Sequence, residues 1–414
     1  MTKLLFVTGA VVLAASICPP VGRAVAQGAD KVMPPAMVGH MRGYVFTRFM
    51  FARPATDLAT DCPQGLAMSL RDSFIAQLPP EDRPKAEQIK GFGPVGSMML
   101  ATDHPENGLK FEERKEPPAN LSVAEREALF KDYIRHRRDP GRHTICNNPA
   151  DYKGVGYRTI DHTGTGSGLN LDGTTDGHAT ATTCEHKKFT GADGTPGIDD
   201  QFWRVAGCIA VYRSGGLDWD SSIRTGDWAV LMELSTPKDG GPDGDVDVNF
   251  YSSKDSLTLD AAGKVPAGLS LEYIDDPQLI AKTHGRIERG VLTTEPVDFT
   301  YKYDNQIVHE RWAFEGARFR LQIEPDGGLK GQMGAYADAE KFYNYTVKPQ
   351  TIDGANSNNI DCPGFYAALH TLADGHRDPK TGVCSAISVA FDLQAIPAFI
   401  IHPQKTADAG TRVP

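Results

Sequence analysis

The chain has 414 residues, with 43 Lys and Arg against 53 Asp and Glu, and its formal net charge is −10 at pH 7. An acidic chain without a long basic run lacks the charge that binds phosphate backbones, so we expect no nucleic-acid partner. The 42 glycines and 28 prolines favour a loop-rich β protein over a helical one.

The N-terminus predicts a secretory signal peptide over residues 1–26. A basic residue lies near the start, an apolar run ends at Cys18, and an Ala-Val-Ala cleavage site occupies residues 24–26. The apolar run is too short for a permanent anchor, and no other stretch approaches twenty apolar residues. We therefore expect a periplasmic or secreted protein with no transmembrane span.

Six cysteines remain after the signal, and an even number in an exported chain indicates disulfide bonds. None of them forms a C-x-x-C pair, which argues against thiol redox catalysis, a zinc ribbon and haem attachment. Fifteen pairings are possible for six cysteines. We predict the pairs that close compact loops, with the third pair left over: Cys184–Cys208, Cys362–Cys384 and Cys62–Cys146.

Residues 27–150 are predicted to form a mixed, partly helical N-terminal region. The segment LSVAEREALFKDYIRHRRD predicts a helix over residues 122–137, because Ser122 and Glu125 have the spacing of a capping box. Apolar residues follow at helical spacing, and the acidic half precedes the basic half, as the helix dipole favours.

Residues 205–336 change to alternation of apolar and polar residues with a period of two. Each run ends in Gly, Asp or Pro, as half-buried antiparallel strands do. The chain is therefore predicted to be mainly β with α+β elements, built around a central antiparallel β-sandwich or jelly-roll. The residues assigned to the core of the sandwich are Val246, Val248, Phe250, Phe299, Tyr301, Phe319 and Leu321.

Residues 337–414 are predicted to form a helical C-terminal region. DAEKFYNY and CPGFYAALHTLADG are both typical of helices, and the second has Asp361 as its N-cap, a proline in its first turn and Gly375 as its stop. The following segment, AISVAFDLQAIPAFIIHP, is apolar enough to be buried.

Residues 151–204 form an acidic region rich in Gly and Asp, with almost no apolar residues that could hold it in one shape. Ca²⁺ binds six to eight oxygen ligands, and short Asp side chains separated by glycines can surround it. We predict a calcium site there, although the EF-hand pattern is not met. Its candidate ligands are Asp172, Asp176, Asp193, Asp199 and Asp200.

Two resemblances accompany this prediction. The acidic segment, with LDGTTDG and GADGTPGIDD joined through Cys184, resembles the disulfide-tied calcium loops of thrombospondin type 3 repeats. The GIDDQFWRVAGC segment, together with GRIERGVLTTEP and DGGLKGQMGAY, is similar to stretches of uncharacterised secreted bacterial proteins, a resemblance that implies no activity.

Two other interpretations of the acidic region stay open. His178 and His186, with Asp172 or Asp176, could form a mixed nitrogen and oxygen site for zinc or another transition metal, although no H-E-x-x-H spacing fixes two ligands on one element. Alternatively, the D-G and P-G pairs are ordinary turns with solvated carboxylates and no ion.

Catalytic motifs are weak. The serine of GTGSG is displaced from the nucleophile-elbow pattern, and no dinucleotide or phosphate loop is present. Asp218, Asp220 or Glu233 could supply the two facing carboxylates of a glycoside hydrolase. The function predicted from sequence is a calcium-stabilised, non-catalytic binding or structural protein of the cell envelope, with an extracellular polysaccharide or envelope component as partner. The alternative is a hydrolase acting on such a polymer.

Overall fold

The structure is a computed structural model, and it describes these residues: 37–38, 40–88, 98–99, 112–113, 120–125, 128, 145–214, 222–224, 226–237, 242–304, 308–347 and 360–403. The predicted signal peptide, Asp218 and Asp220 lie outside them. Of the predicted helix 122–137, only the start is described, where the Glu125 carboxylate accepts from Ser122 N–H at 2.8 Å.

The protein is mainly β, as predicted, and the strands belong to one large antiparallel sheet and three small ones. The strands are β1 (Met37–Val38), β2 (Met41–Phe51), β3 (Met98–Met99), β4 (Glu112–Glu113), β5 (Thr165–Gly166), β6 (Phe189–Gly191), β7 (Pro196–Ile198), β8 (Val230–Ser235), β9 (Gly244–Ser252), β10 (Ser270–Glu272), β11 (Ile280–Glu288), β12 (Val291–Thr294), β13 (Val297–Asp304), β14 (His309–Ile323), β15 (Leu329–Asp338), β16 (Gly375–Arg377), β17 (Cys384–Pro397) and β18 (Phe399–Ile401).

The helices are short and lie between these strands. They are α1 (Leu58–Asp61), α2 (Leu70–Gln77), α3 (Arg83–Gln88), α4 (Gln201–Ala206), α5 (Ala210–Ser214), α6 (Ala339–Thr346) and α7 (Cys362–Thr371). Two of them, α6 and α7, were predicted. Asp338 caps α6 by accepting from Lys341 N–H at 2.8 Å, and α7 starts after Asp361 but ends at Thr371, before Gly375, which begins β16.

The large sheet closes on itself. Its order runs β2-β8-β9-β11-β12-β14-β15-β17, and β17 then pairs with β2, so that the two ends of the order meet. Both β2 and β17 lie outside the predicted sandwich at residues 205–336. The alternation in that range located the middle strands, whereas the aromatic, Arg-containing segment at residues 41–51 has no clear period and did not predict β2.

Side chains from opposite parts of the closed sheet meet inside it, which gives the fold its sandwich-like core. Phe49 of β2 packs 6.2 Å from Phe299 of β13, and Phe250 of β9 stacks on Phe319 of β14 at 4.2 Å between ring centroids. All seven residues that alternation assigned to the core are buried. Burial of a large side chain contributes roughly 1.5–3 kcal/mol, so these aromatics hold much of the fold.

All six cysteines form disulfides, but the predicted pairing is wrong. The observed bonds are Cys62–Cys208, Cys146–Cys362 and Cys184–Cys384, which span 146, 216 and 200 residues of sequence. Compact loops are not favoured here because the closed sheet brings distant segments of the chain side by side. In a chain-entropy argument, a loop of this length stabilises the fold by about 5 kcal/mol.

Among the helices of the described residues, none is long and apolar enough to cross a membrane.

Candidate functional site

The acidic region is ordered by contacts with the body of the protein. The disulfide between Cys184 and Cys384 ties it to β17, and the Cys184 N–H donates to the Asp374 carbonyl at 2.9 Å. The buried guanidinium of Arg204 on α4 donates to the Ile160 carbonyl at 3.1 Å and to the Lys187 carbonyl at 3.2 Å. The expectation that the region lacks an apolar core is wrong, because Ile160, Phe189, Ile198 and Trp203 form a buried hydrophobic cluster with the Cys62–Cys208 disulfide. This cluster and the polar contacts together hold residues 151–204 in place.

Asp199 is the centre of a buried polar cluster within this region. Its carboxylate accepts from the Leu171 N–H at 2.7 Å, lies 2.8 Å from His186 Nε2, and forms an ion pair with the ammonium of Lys188. An isolated bridge between Leu169 and Asp199 sets the backbone so that the carboxylate faces inward. The sequence predicted Asp199 as a ligand, and the structure places it at the heart of the group.

Asp172 lies on the other side of the same ammonium. Lys188 Nζ is 2.6 Å from Asp172 Oδ1, and the Thr174 N–H donates to the same oxygen at 2.8 Å. Burial alone would raise the pKa of Asp172, but the hydrogen bonds from Lys188 and Thr174 outweigh it and lower the pKa. Asp172 is therefore an anion held between a cation and a turn.

His186 faces both carboxylates. Its Nδ1 lies 2.7 Å from the Cys184 carbonyl, which can only accept, so Nδ1 carries a hydrogen and Nε2 points at Asp199. Burial opposes protonation of the ring, yet the hydrogen bond to Asp199 and the charge of Asp374 raise the pKa of His186. Gly177 makes this position possible, because a Cβ there would overlap the His186 carbonyl.

Asp374 completes the cluster, and sequence reasoning missed it. Its Oδ2 lies 3.7 Å from His186 Nε2 and has no hydrogen-bond partner within the described part of the chain. Complete burial raises its pKa to about 7. No sequence signal pointed to it, because Asp374 lies far along the chain and arrives through a bridge between Thr183 and Gly375.

The five predicted calcium ligands thus separate into three groups. Asp172 and Asp199 come together. Asp176 and Asp193 are exposed turn residues that accept from the His178 and Thr195 N–H groups. Asp200 is buried but acts as the N-cap of α4, where it accepts from the Trp203 N–H at 3.1 Å, and burial raises its pKa well above the ordinary value.

The mixed nitrogen and oxygen site also changes in composition. Asp172, His186 and Asp199 have ligand atoms that all lie within 4.8 Å of one another. His178 does not belong to this group, since its side chain is 77% exposed and lies beside Asp176. The cluster can therefore hold a cation, and in this structure the Lys188 ammonium lies where the two carboxylates converge.

A second buried carboxylate with a histidine lies near the Cys62–Cys208 bond. Asp61 lies 2.7 Å from His162 Nε2 and accepts from Arg213 at 2.7 Å and from the Thr56 hydroxyl. His162 Nδ1 accepts from the Gly164 N–H at 2.9 Å. Both ring nitrogens are occupied, so this group ties three segments together and offers no base to a substrate.

Glu233, the described candidate for hydrolysis, lies beneath the small β10–β18 sheet. Its side chain is 3% exposed, accepts from the Tyr251 hydroxyl at 2.7 Å, and lies 2.8 Å from His402 Nε2. Inverting and retaining glycosidases need two carboxyl groups facing a shared cleft. No second carboxylate faces Glu233 among the contacts that the described residues make.

Two of the open clefts lie on the described part of the surface near charged residues. One of about 650 Å³ lies over the acidic region and is lined by His186 and Lys188, among others. A larger groove of about 940 Å³ crosses β9, β11 and β12, but Arg286 there pairs with Asp245 and Glu288 at 2.7 Å each. Exposed pairs of this kind contribute little, so the smaller cleft, with a buried cluster beneath it, is the better site.

No family model, curated protein or solved structure matches this chain. The similarity of the GIDDQFWRVAGC segment to secreted bacterial proteins stays a prediction. The function is accordingly inferred from the charges, distances and burial of the cluster formed by Asp172, His186, Lys188, Asp199 and Asp374.

Proposed function

We propose that the protein is a non-catalytic binding or structural protein of the cell envelope, in which a divalent cation stabilises the acidic region. Disulfides in a soluble β fold support an exported, periplasmic or secreted location. Calcium is the ion that the oxygen-rich sequence favours, and an extracellular polysaccharide or envelope component is the partner that we propose.

One observation carries the cation proposal: three buried carboxyl groups converge on His186 and Lys188, and the ligand atoms of Asp172, His186 and Asp199 lie within 4.8 Å of one another. Asp172, Asp199 and Asp374 are each at most 1% exposed in their side chains, and they face His186 and Lys188. Uncompensated buried charge is strongly unfavourable, so a proton or a further cation must balance the third carboxyl group. A divalent cation in the cluster would also lie beside Asp374 Oδ2, which has no hydrogen-bond partner in the described residues.

The anchoring of the acidic region supports a structural role for that cation. Cys184 is covalently held, and the Arg204 and Asp374 contacts fix the backbone around the cluster, so the ligand atoms are already close before an ion binds. A preorganised site loses less conformational entropy on binding. An ion there would stiffen residues 169–203.

The test compares thermal unfolding of the disulfide-bonded protein in EDTA and in millimolar CaCl₂. A cation that binds only the folded state raises the free energy of unfolding by about 2.7 kcal/mol at a hundred times its dissociation constant. Asp172→Asn and Asp199→Asn should abolish the calcium-dependent increment, whatever they do to stability in EDTA.

Two matched substitutions control for the general loss of acidic charge. Asp176→Asn and Asp193→Asn remove carboxylates from the same region but outside the cluster, and both should keep the full increment. An identical melting curve of the wild type in EDTA and in calcium would refute a stabilising calcium ion.

The functional class has a separate test. The purified protein should bind insoluble or soluble polysaccharides from a panel without releasing reducing sugar. Release of sugar that Glu233→Gln abolishes would instead establish the hydrolase alternative, and failure to bind any envelope polymer would contradict the proposed partner.

A further inference from the structure

The cluster beneath the smaller cleft contains a nitrogen ligand, and this decides which ions it suits. We propose that His186, Asp172 and Asp199 form a site for a transition-metal dication of the zinc or cobalt class, which displaces the Lys188 ammonium and lies beside Asp374. The inference rests on the proposed cation site and names the class of ion that it takes.

The orientation of His186 is the first support. A metal-binding histidine usually donates its other ring N–H to a carbonyl or carboxylate, which fixes the ring. His186 Nδ1 has this partner in the Cys184 carbonyl at 2.7 Å, and its Nε2 is directed at the carboxylates. Calcium prefers oxygen ligands almost exclusively, whereas zinc binds imidazole nitrogen and carboxylate oxygen together.

The spacing of the donors is the second support. Nε2 of His186 lies 2.8 Å from Asp199 Oδ1, 3.7 Å from Asp374 Oδ2 and 4.0 Å from Asp172 Oδ2. Four ligands at about 2.1 Å from a tetrahedral ion are roughly 3.4 Å apart. The distances from Nε2 to the Asp199 and Asp172 oxygens bracket this value, and the ligand atoms of these three residues all lie within 4.8 Å of one another.

Unsatisfied buried groups are the third support, and they are independent of the acidic character of the cluster. Asp374 Oδ2 is completely buried and has no hydrogen-bond partner in the described residues, although it lies within ion-pair distance of His186. The Tyr336 hydroxyl likewise has no hydrogen-bond partner among the described residues. It interacts electrostatically with Asp374, Asp199 and Asp172. A buried polar atom without a partner requires an explanation, and an ion bound between Asp172, His186 and Asp199 would supply one for these two.

Lys188 is the internal competitor of the metal. Its ammonium lies 2.6 Å from Asp172 Oδ1 and also pairs with Asp199, and its side chain lines the open cleft into which it can withdraw. Metal binding therefore exchanges the ammonium and the Nε2 proton of His186 for one dication, so the net charge of the cluster is unchanged and Asp374 keeps its proton. Lys188 should weaken binding, because its two ion pairs must be broken first.

The experiment titrates the metal-free, disulfide-bonded protein with CoCl₂ and follows the visible absorption of the ion, with Zn²⁺ as a competitor. We expect one equivalent to bind, with affinity lowered at least about 100-fold in His186→Gln and raised about tenfold in Lys188→Met. His178→Gln is the matched control, since it removes an exposed histidine of the same region, and its affinity should equal that of the wild type.

Crystals of the wild type grown with Co²⁺ supply a test without substitutions, because anomalous scattering locates the ion directly. A cobalt peak between His186 and Asp199 is the expected result. Calcium-dependent stabilisation without any cobalt or zinc binding would overturn this inference and leave the cation site intact. Cobalt binding that depends on His178 and not on His186 would overturn it too, and absence of all ion binding would refute both proposals.

Discussion

Asp61 and Asp361 are both almost completely buried, with 1% and 0% exposure. The pKa of Asp61 is nevertheless lowered, whereas that of Asp361 is raised. Arg213 and His162 each lie 2.7 Å from the Asp61 carboxylate, and these hydrogen bonds, with that of Thr56, overcome burial and lower its pKa. The Asp361 carboxyl group accepts from the Ser73 hydroxyl at 3.1 Å and from the Gly364 backbone but has no cation beside it, so burial raises its pKa to about 7.

The difference shows that the cations facing a buried carboxyl group decide its charge. The cluster around Asp199 lies between these two cases, because three carboxyl groups share the two basic side chains of His186 and Lys188. There the pKa of Asp172 is lowered, while the pKa of Asp374 is raised to about 7 by burial. Asp374, the carboxyl group without a hydrogen-bonded cation, is therefore the one that keeps its proton most readily.

The largest loss of stability is expected at Asp199, whose carboxylate pairs with both His186 and Lys188. Asp199→Asn should lower the free energy of unfolding by about 3–5 kcal/mol, because it leaves the Lys188 and His186 charges buried with reduced compensation. Chemical denaturation at pH 7 measures this change. A loss below about 1 kcal/mol would mean that Asp172 and Asp374 compensate both cations unaided.

Asp361 should make stability depend on pH with a defined sign. Its pKa is raised on folding, so the folded chain binds the proton more tightly, and stability is full below the unfolded pKa of about 4 and lost as pH rises through about 7. The loss is up to about 4 kcal/mol. Asp361→Asn should flatten this part of the stability profile measured by denaturation from pH 4 to pH 8.

An Asp361→Asn variant with an undiminished slope would assign the pH dependence to other groups and break the comparison with Asp61. Folding also raises the pKa of His186, so His186 too makes the protein less stable as the pH rises. That loss begins only above its unfolded pKa of about 6.5. The range between pH 4 and pH 6 therefore reports the buried carboxyl groups with little interference.

The smallest effect is expected at Asp61. Asp61→Asn keeps the shape of the side chain, and Arg213 and His162 are partly exposed at 15% and 27%, so water can replace the lost carboxylate. We expect a loss of about 1–3 kcal/mol. The same denaturation experiment applies, and a loss equal to that of Asp199→Asn would show that exposure of the partners does not matter.

The β core could be predicted from sequence because it depends on local alternation. Val248, Phe250 and Phe319 lie at every second position of their strands, and a period of two directs such residues to one face. The helices α6 and α7 were predicted for the same reason, since their caps lie next to their apolar residues in sequence.

The disulfides and the polar cluster could not be predicted because they depend on contacts between distant residues. Closing a loop of 146 residues instead of about twenty costs less than about 2 kcal/mol more. This small preference cannot outweigh the geometry of the closed sheet. Asp374 reaches His186 by the same route, and proximity in sequence had instead suggested Asp176 and Asp193.

The pairing of β2 with β17 has a consequence for how the chain reaches its native state. One edge of β2, at residues 44–51, pairs with residues 391–397, so almost the entire polypeptide must be made before the large sheet can close. Contacts of such sequence separation give a high contact order and slow folding. Until β17 is available, one edge of β2 is unpaired and can pair with another chain, so an incomplete polypeptide is exposed to aggregation.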